Sequence, residues 1–510
     1  MPPQSQDRRK VLLALAFGAV NALVLRRLPS AHQSDALAAA AGPSEPAVVP
    51  GFEPRPTEGH AFDIVLKGGR VMDPASRFDR IADVGIDGTT IGAISEDADL
   101  TGRRVIDVGG KVAAPGFIDI LSYDPNDHGI WFKVADGVTT NLGMHGINAR
   151  ADEWFAYWDI EGSPCHYGGA YDSPWARAVL EIAPDHAASA AQIGQLVAMA
   201  EENLANGWMG ADFEPEYTPG VEYEEILAQA RVAAAAGVPC FFHGRYSDME
   251  PPGTNVETLE EILRVAREAA VAVHVEHITS TGGTFSMEQS LATLEAARDD
   301  GIDVTACMYP YDHWATYLGS PRFNDGWEER FRISYNDLEI AGTGERLTAS
   351  SFRRYREENL LAAAHAIPTS DVIAAFKSPL VMLGSDGILE PGNNNHPRGA
   401  GTFARALGRF VREERLLPLM DALAKMTIMP AQRLEAGAPA MARKGRLQVG
   451  ADADITVFDA DTVRDRATVA DPAQSSVGIE WVLVLGQVVK DPDGVHHDVM
   501  PGRAVKSELA

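Results

Sequence analysis

Strand-like apolar runs recur along the middle of this chain, and amphipathic stretches of helical length fill several of the gaps. The runs cover residues 111–117, 137–142, 207–213, 238–242, 271–276, 302–308 and 379–383; helical periodicity covers 223–236, 256–270 and 286–299. Parallel strands need a crossover of a dozen or more residues, usually a helix, so this rhythm specifies βα units on a parallel sheet. Seven or eight such units are the quota of a (β/α)8 barrel, and the expected fold class is α/β with a TIM-like barrel. Short strands with turns flank it on both sides, over residues 62–108 and again over 445–459 and 479–489. Two β-rich flanks around one α/β region predict a small β-sandwich built from both chain ends. The expected boundaries are a first sandwich half at 62–114, the barrel at 115–430 and a second half at 431–505. A Trp/Phe/Arg-rich insertion at about 320–368, with Trp327, Phe331, Tyr335 and Tyr355, breaks the rhythm where a lid or substrate loop would sit.

Composition narrows the partners. The formal net charge of -28 argues against nucleic acid or an anionic membrane surface as a target. No stretch reaches the ~18 apolar residues of a membrane span. Three cysteines, Cys165, Cys240 and Cys307, make no disulfide framework and no C-x-x-C pair. The N-terminus has the order of an export signal over residues 1–41. Arg8-Arg9-Lys10 precede an apolar run to Leu25, followed by Arg26-Arg27 and a small-residue stretch ending at Ala41. The paired arginines resemble a twin-arginine signal, so a periplasmic or extracellular location is expected, with a cytoplasmic one as the alternative. Residues 42–61, rich in Pro, Gly and Ala, read as a linker.

Four strand-like runs end in a residue able to bind or use a metal: His145, His243, His277 and Asp386. In a parallel barrel those C-terminal ends are the functional face. Imidazole and carboxylate ligands converging from different strands suit zinc, which keeps an open position for water at catalytic sites. Bound zinc lowers a water's pKa to about 7, and a nearby carboxylate, here Asp386, can take its proton. Other polar residues read as structural: His274 as a packed group behind His277, Asp124 and Asp127 as turn residues, His496-His497 as surface.

These residues sit within motifs that resemble the D-aminoacylase (N-acyl-D-amino-acid deacylase) branch of the amidohydrolase superfamily. They include Ala114-Pro-Gly-Phe-Ile-Asp119, Gly137-Val-Thr-Thr140, His243-Gly-Arg245, Tyr309-Pro-Tyr311, Gly384-Ser-Asp-Gly387, His396-Pro-Arg-Gly-Ala-Gly-Thr-Phe403 and Gly450-Ala-Asp-Ala-Asp-Ile455. The resemblance spans about residues 62–500 and implies hydrolysis of a C–N amide bond in an N-acyl-(D-)amino acid-like small molecule. It makes His243 and His277 metal ligands and Asp386 the base. Arg398 and Tyr309 would hold the substrate carboxylate, for which a bidentate guanidinium is the natural clamp; a structural salt bridge is the alternative for Arg398. Arg245 and His396, inside the shared motifs, join the expected substrate-binding set, as does Tyr123.

The chain also departs from that pattern. The family's His-x-His after Pro-Gly-Phe-Ile-Asp-x is Leu121-Ser-Tyr123 here, and a bridging Cys after the second strand becomes His145 in Gly143-Met-His-Gly146. A lysine expected two residues after the strand-six histidine is Thr279. Three histidines with Asp386 still form a complete single-metal site, so one Zn²⁺ per chain is expected. Two other readings stay open. One is a relative with altered chemistry, acting on a lactam, a cyclic imide or a specialised metabolite; the other is an inactive exported binding protein. Oligomeric state is not encoded in anything recognisable.

Overall fold

The computed structural model describes residues 45–508 apart from Pro56 and Ala98, so the expected export signal lies outside the described residues. Among them no helix is long and apolar enough to cross a membrane.

The two chain ends meet in one nine-stranded sheet rather than in two facing sheets. Its spine is the strand Ala61–Asp73, paired along its length with Phe78–Asp87. On its other edge the first half takes Thr101–Asp107 and the second half takes Val112–Pro115. A register shift between Leu66 and Gly69 divides the halves. One long strand therefore serves neighbours that two sheets would otherwise separate, because a bulge lets it bend. From Val112–Pro115 the sheet passes to C-terminal strands: Ile455–Phe458, Ile479–Val484 and Gln487–Asp491. Residues 431–454 carry helical turns instead of further strands, including the end of the helix Ile428–Leu434.

The run at 111–117 splits. Val112–Pro115 joins the end sheet, and Phe117–Asp119 turns into the parallel region. Gly116 sits at the junction, where a Cβ would meet the Thr139 hydroxyl at 2.1 Å. Two arcs of parallel strands follow. One joins Phe117–Asp119, Val138–Gly143 and His166–Gly169. The other runs Tyr171–Asp172, Ala211–Phe213, Cys240–Phe242, Val273–Val275, Val304–Met308 and Val381–Leu383. At one seam Met209 N donates to Gly169 O at 2.8 Å and Tyr171 N to Gly210 O at 2.9 Å; at the other Asp386 N donates to Leu121 O at 2.7 Å. An apolar cluster with Ile118, Leu142, Phe241, Cys307 and Met382 fills the space these strands enclose.

Helices cover the outer faces. Ala190–Ala205 starts with a capping box, in which Gln192 N donates to Ser189 Oγ and Ser189 N donates to Gln192 Oε1. Asn255–Ala269 buries Leu259, Ile262, Leu263 and Ala266, a stripe at helical spacing, and ends at Ala270 with φ 53°. The insertion forms a three-stranded antiparallel sheet of Trp314–Tyr317, Leu361–Ala364 and Leu338–Ile340, so it begins a few residues before the expected point.

Candidate metal centre

The C-terminal ends of the parallel strands carry the polar side chains of the interior. The register sets them in layers. Asp172, Asp212, Phe241 and His274 are hydrogen-bond-ladder neighbours, and Glu276 N reaches Phe242 O one step further on. Period-two alternation then points Asp212 and Glu214 to the same side, as it does His274 and Glu276.

His145, His243 and His277 come together. Each presents a ring nitrogen within 4.8 Å of the others, and all three are buried. His243 Nδ1 and His277 Nε2 are 3.1 Å apart. Two nitrogens bound at about 2.0–2.1 Å to one tetrahedral zinc stand roughly 3.3 Å apart. Burial pushes both imidazoles well below their ordinary pKa, so they are neutral and can offer lone pairs. His145 Nδ1 has no hydrogen bond and faces Glu276 Oε2 at 3.1 Å. These donors fit a divalent ion of the zinc type.

Asp386 lies beside them, its Oδ2 3.9 Å from His277 Nε2. The Arg398 guanidinium holds the same oxygen at 2.8 Å, and the Tyr123 hydroxyl donates to Oδ1 at 3.1 Å. Arg398 also lies over the Tyr309 ring, 4.8 Å from its centroid, and Arg398 N donates to His396 Nδ1 at 3.0 Å. Arg398 and Tyr123 thus hold the base, with Tyr309 beneath the guanidinium and His396 behind the Arg398 backbone. Arg245 does not join them: its guanidinium is paired side-on with Glu261, at 2.9 Å and 2.8 Å. It lines a cleft of about 690 Å³ with Glu216, Tyr246, Asp248, Glu329 and Arg330, so the insertion supplies one wall. The cleft reaches the histidines through Glu216, whose Oε2 is 2.7 Å from His243 Nε2.

Both His277 (φ 23°) and Asp386 (φ 52°) have left-handed backbones. Such a conformation costs a non-glycine residue about 1–3 kcal/mol and persists where surrounding structure over-determines it. At Asp386 the surroundings are a buried network. Lys133 Nζ donates to Asp119 Oδ2 at 2.8 Å, to Ser385 Oγ at 2.5 Å and to Gly387 O, and Ser385 N donates to Asp119 Oδ1 at 2.9 Å. The strand-one departures have consequences in place. Leu121 packs into the apolar cluster below, and Tyr123 binds the base.

Four carboxylates at this centre were not anticipated: Asp172, Asp212, Glu214 and Glu276. His145 Nδ1 is 3.1 Å from Glu276, 3.4 Å from Asp212 and 3.6 Å from Glu214. Burial, and then Asp212, push Asp172 up to about 7 and Glu276 up to about 8. Burial alone would depress the His145 imidazolium; Glu214, Tyr123, Glu276 and Asp212 outweigh it and hold its pKa well above the ordinary value, so an ion taken up there displaces a proton. The available signal was an acid inside an apolar run: Ala211-Asp-Phe-Glu214, and Glu276 directly before His277.

The chain is 32% identical to N-acyl-D-glutamate deacylase of Alcaligenes xylosoxydans xylosoxydans, a match covering 88% of this chain and 97% of that one. It is 31% identical to D-aminoacylase of the same organism, covering 85% and 95%. The chain belongs to the D-aminoacylase branch of the amidohydrolase superfamily. It is thereby a hydrolase of carbon–nitrogen bonds other than peptide bonds. The model of the amidohydrolase family matches residues 358–490. Among solved structures, N-acyl-D-glutamate deacylase from Bordetella bronchiseptica, complexed with zinc and a phosphonate inhibitor, superposes with a TM-score of 0.75. That pair is 29% identical, over 88% of this chain and all of the other.

Proposed function

We propose that this protein hydrolyses the amide bond of N-acyl-D-amino acids, using one divalent ion, zinc, held by His145, His243 and His277. The observation that carries this is the convergence of three buried imidazoles beside a carboxylate that is itself clamped by Arg398. The relatives' names supply the substrate class. The two strand arcs, with their seams at Ala170 and Asp386, complete an eight-stranded barrel in this reading.

Such an ion supplies Lewis acidity, polarising the amide carbonyl and acidifying a water. The chain's own groups do the rest. Asp386 stands at the edge of the ligand set, where it accepts the water's proton and returns it to the departing nitrogen. Tyr123 and Arg398 fix its two oxygens, so the base is oriented before substrate arrives. Arg398 Nε is buried with no partner. That free donor, above the Tyr309 ring, is where the substrate carboxylate binds. The apolar Leu121 and the phenolic Tyr123 leave no ligand on the first strand, which supports the single-ion form.

The test is amine release from a panel of N-acetyl-D- and N-acetyl-L-amino acids by zinc-loaded protein, with His243→Ala as control. Release from D substrates, lost in the variant, is expected. No release from any D substrate by protein that retains zinc would reject the reading and favour a binding role.

A further inference from the structure

We propose a second cation site next to the three histidines, formed by Asp172, Asp212, Glu214 and Glu276 and selective for a hard divalent ion such as Mn²⁺ or Mg²⁺. Asp172, Asp212 and Glu214 place carboxylate oxygens within 4.8 Å of one another, and Asp212 does the same with Glu276 and His145. Asp212 belongs to both sets and marks the centre. The four acids come from three strands: Tyr171–Asp172, Ala211–Phe213 and its continuation, and the residue after Val273–Val275. They converge by register, not by one loop's conformation.

Their surroundings distinguish them from a solvated acidic patch. Asp212 and Glu276 are fully buried, and none of their four oxygens receives a hydrogen bond. Buried carboxylates are ordinarily paired or bound to metal. The His145 imidazole, 4% exposed, faces them: its Nδ1 has no hydrogen bond and stands 3.1–3.6 Å from three of the acids. Asp212 thus presents two bare, buried oxygens at the centre of the cluster, the donors a divalent ion would take up. An all-oxygen donor set favours Mn²⁺ or Mg²⁺ over zinc, which goes to the imidazoles. His145 is then the wall between two unlike ions.

The inference deepens the hydrolase reading and takes the location of the first ion from it, but the oxygen site stands independently of the reaction. The test is metal content of the full chain loaded with Zn²⁺ and Mn²⁺, with Mn²⁺ followed by electron paramagnetic resonance. About one zinc and one manganese per chain are expected. Asp212→Asn and Glu276→Gln should each lose manganese and keep zinc, and His243→Ala should do the reverse. No manganese in the parent protein at saturating Mn²⁺ would overturn the proposal, whichever variants fold. So would manganese retained in either acid variant, or lost on His365→Ala, which would place it in the separate cluster of Asp312, His313 and His365. Manganese present with zinc absent would leave this site standing and reject the three-histidine reading instead.

Discussion

Replacing Lys133 by Met should separate the stability of this protein from the placement of its base. The Lys133 ammonium is 1% exposed and pairs with Asp119, which is fully buried. Removing one partner of a buried pair leaves an uncompensated charge and costs about 3–5 kcal/mol. The same substitution removes the donors to Ser385 Oγ and Gly387 O, the groups on either side of Asp386. Adding Asp119→Asn deletes the orphaned charge while keeping an acceptor for Ser385 N. The double variant should therefore lose only the hydrogen bonds of the turn, about 1–3 kcal/mol in all, and melt between the parent and the single variant. Its activity should not recover, because a misplacement of about 1 Å can cost 10²-fold and Asp386 needs both flanking anchors to hold its left-handed backbone. Thermal melting and steady-state kinetics on one N-acyl-D-amino acid, run on all three proteins, decide it. A double variant melting as low as the single one would refute the charge argument. Recovery of turnover together with stability would refute the positioning argument.

Other expectations follow from the same geometry. Arg398→Lys loses the planar fork, and KM for carboxylate substrates should rise roughly 30- to 150-fold, the equivalent of about 2–3 kcal/mol for a charge-assisted contact; initial-rate measurements read it directly. Asp386→Asn should lower kcat by about 10²–10⁴ while zinc content stays at the parent level, which metal analysis beside kinetics will show. Burial pushes the Lys425 ammonium down to about 7, where it donates to Ser378 O and Val381 O. A base depressed in the folded state binds fewer protons than in the unfolded chain between that value and about 10.4, so its share of stability grows as pH rises through this window. Melting temperatures at pH 7 and pH 9.5 should thus differ more in the parent than in Lys425→Met, and equal differences would dismiss the effect.

Most of the architecture was legible because strand and helix periods differ. Residues 223–236 read as a helix and form the helix Tyr223–Ala236, with its inward stripe of Ile226, Ala230 and Ala233. What escaped was local and polar. His166–Gly169 and Tyr171–Asp172 are strands without an apolar run, since ladder neighbours rather than composition place them there. The run at 111–117 divides at Gly116, where Thr139 leaves no room for a side chain, a tertiary contact that no period encodes. Of the expected site residues, His145, His243, His277, Asp386 and Arg398 stand together, His145 despite the displaced register of its loop. Asp212 and Glu276 went unread because an acid in a strand looks like an outward-facing residue until the ladder shows which way it points. Arg245, in a shared motif, stands apart from the base: Glu261 on the neighbouring helix pairs with its guanidinium, and it lines the cleft instead.

The shared end sheet also dictates an order of events during synthesis. The antiparallel pair of Pro115 with Ile455 joins residues about 340 positions apart. At ~5–20 residues per second the ribosome needs on the order of 20–70 s to bridge that gap. For that interval Val112–Pro115, buried in the finished molecule, offers an open strand edge beside the newborn Ala61–Asp73 strand. A nascent chain stalled before Ile455 would hold a templating edge with no native partner yet made. Self-association of such truncated products, rather than instability of the complete protein, is where its production should first fail.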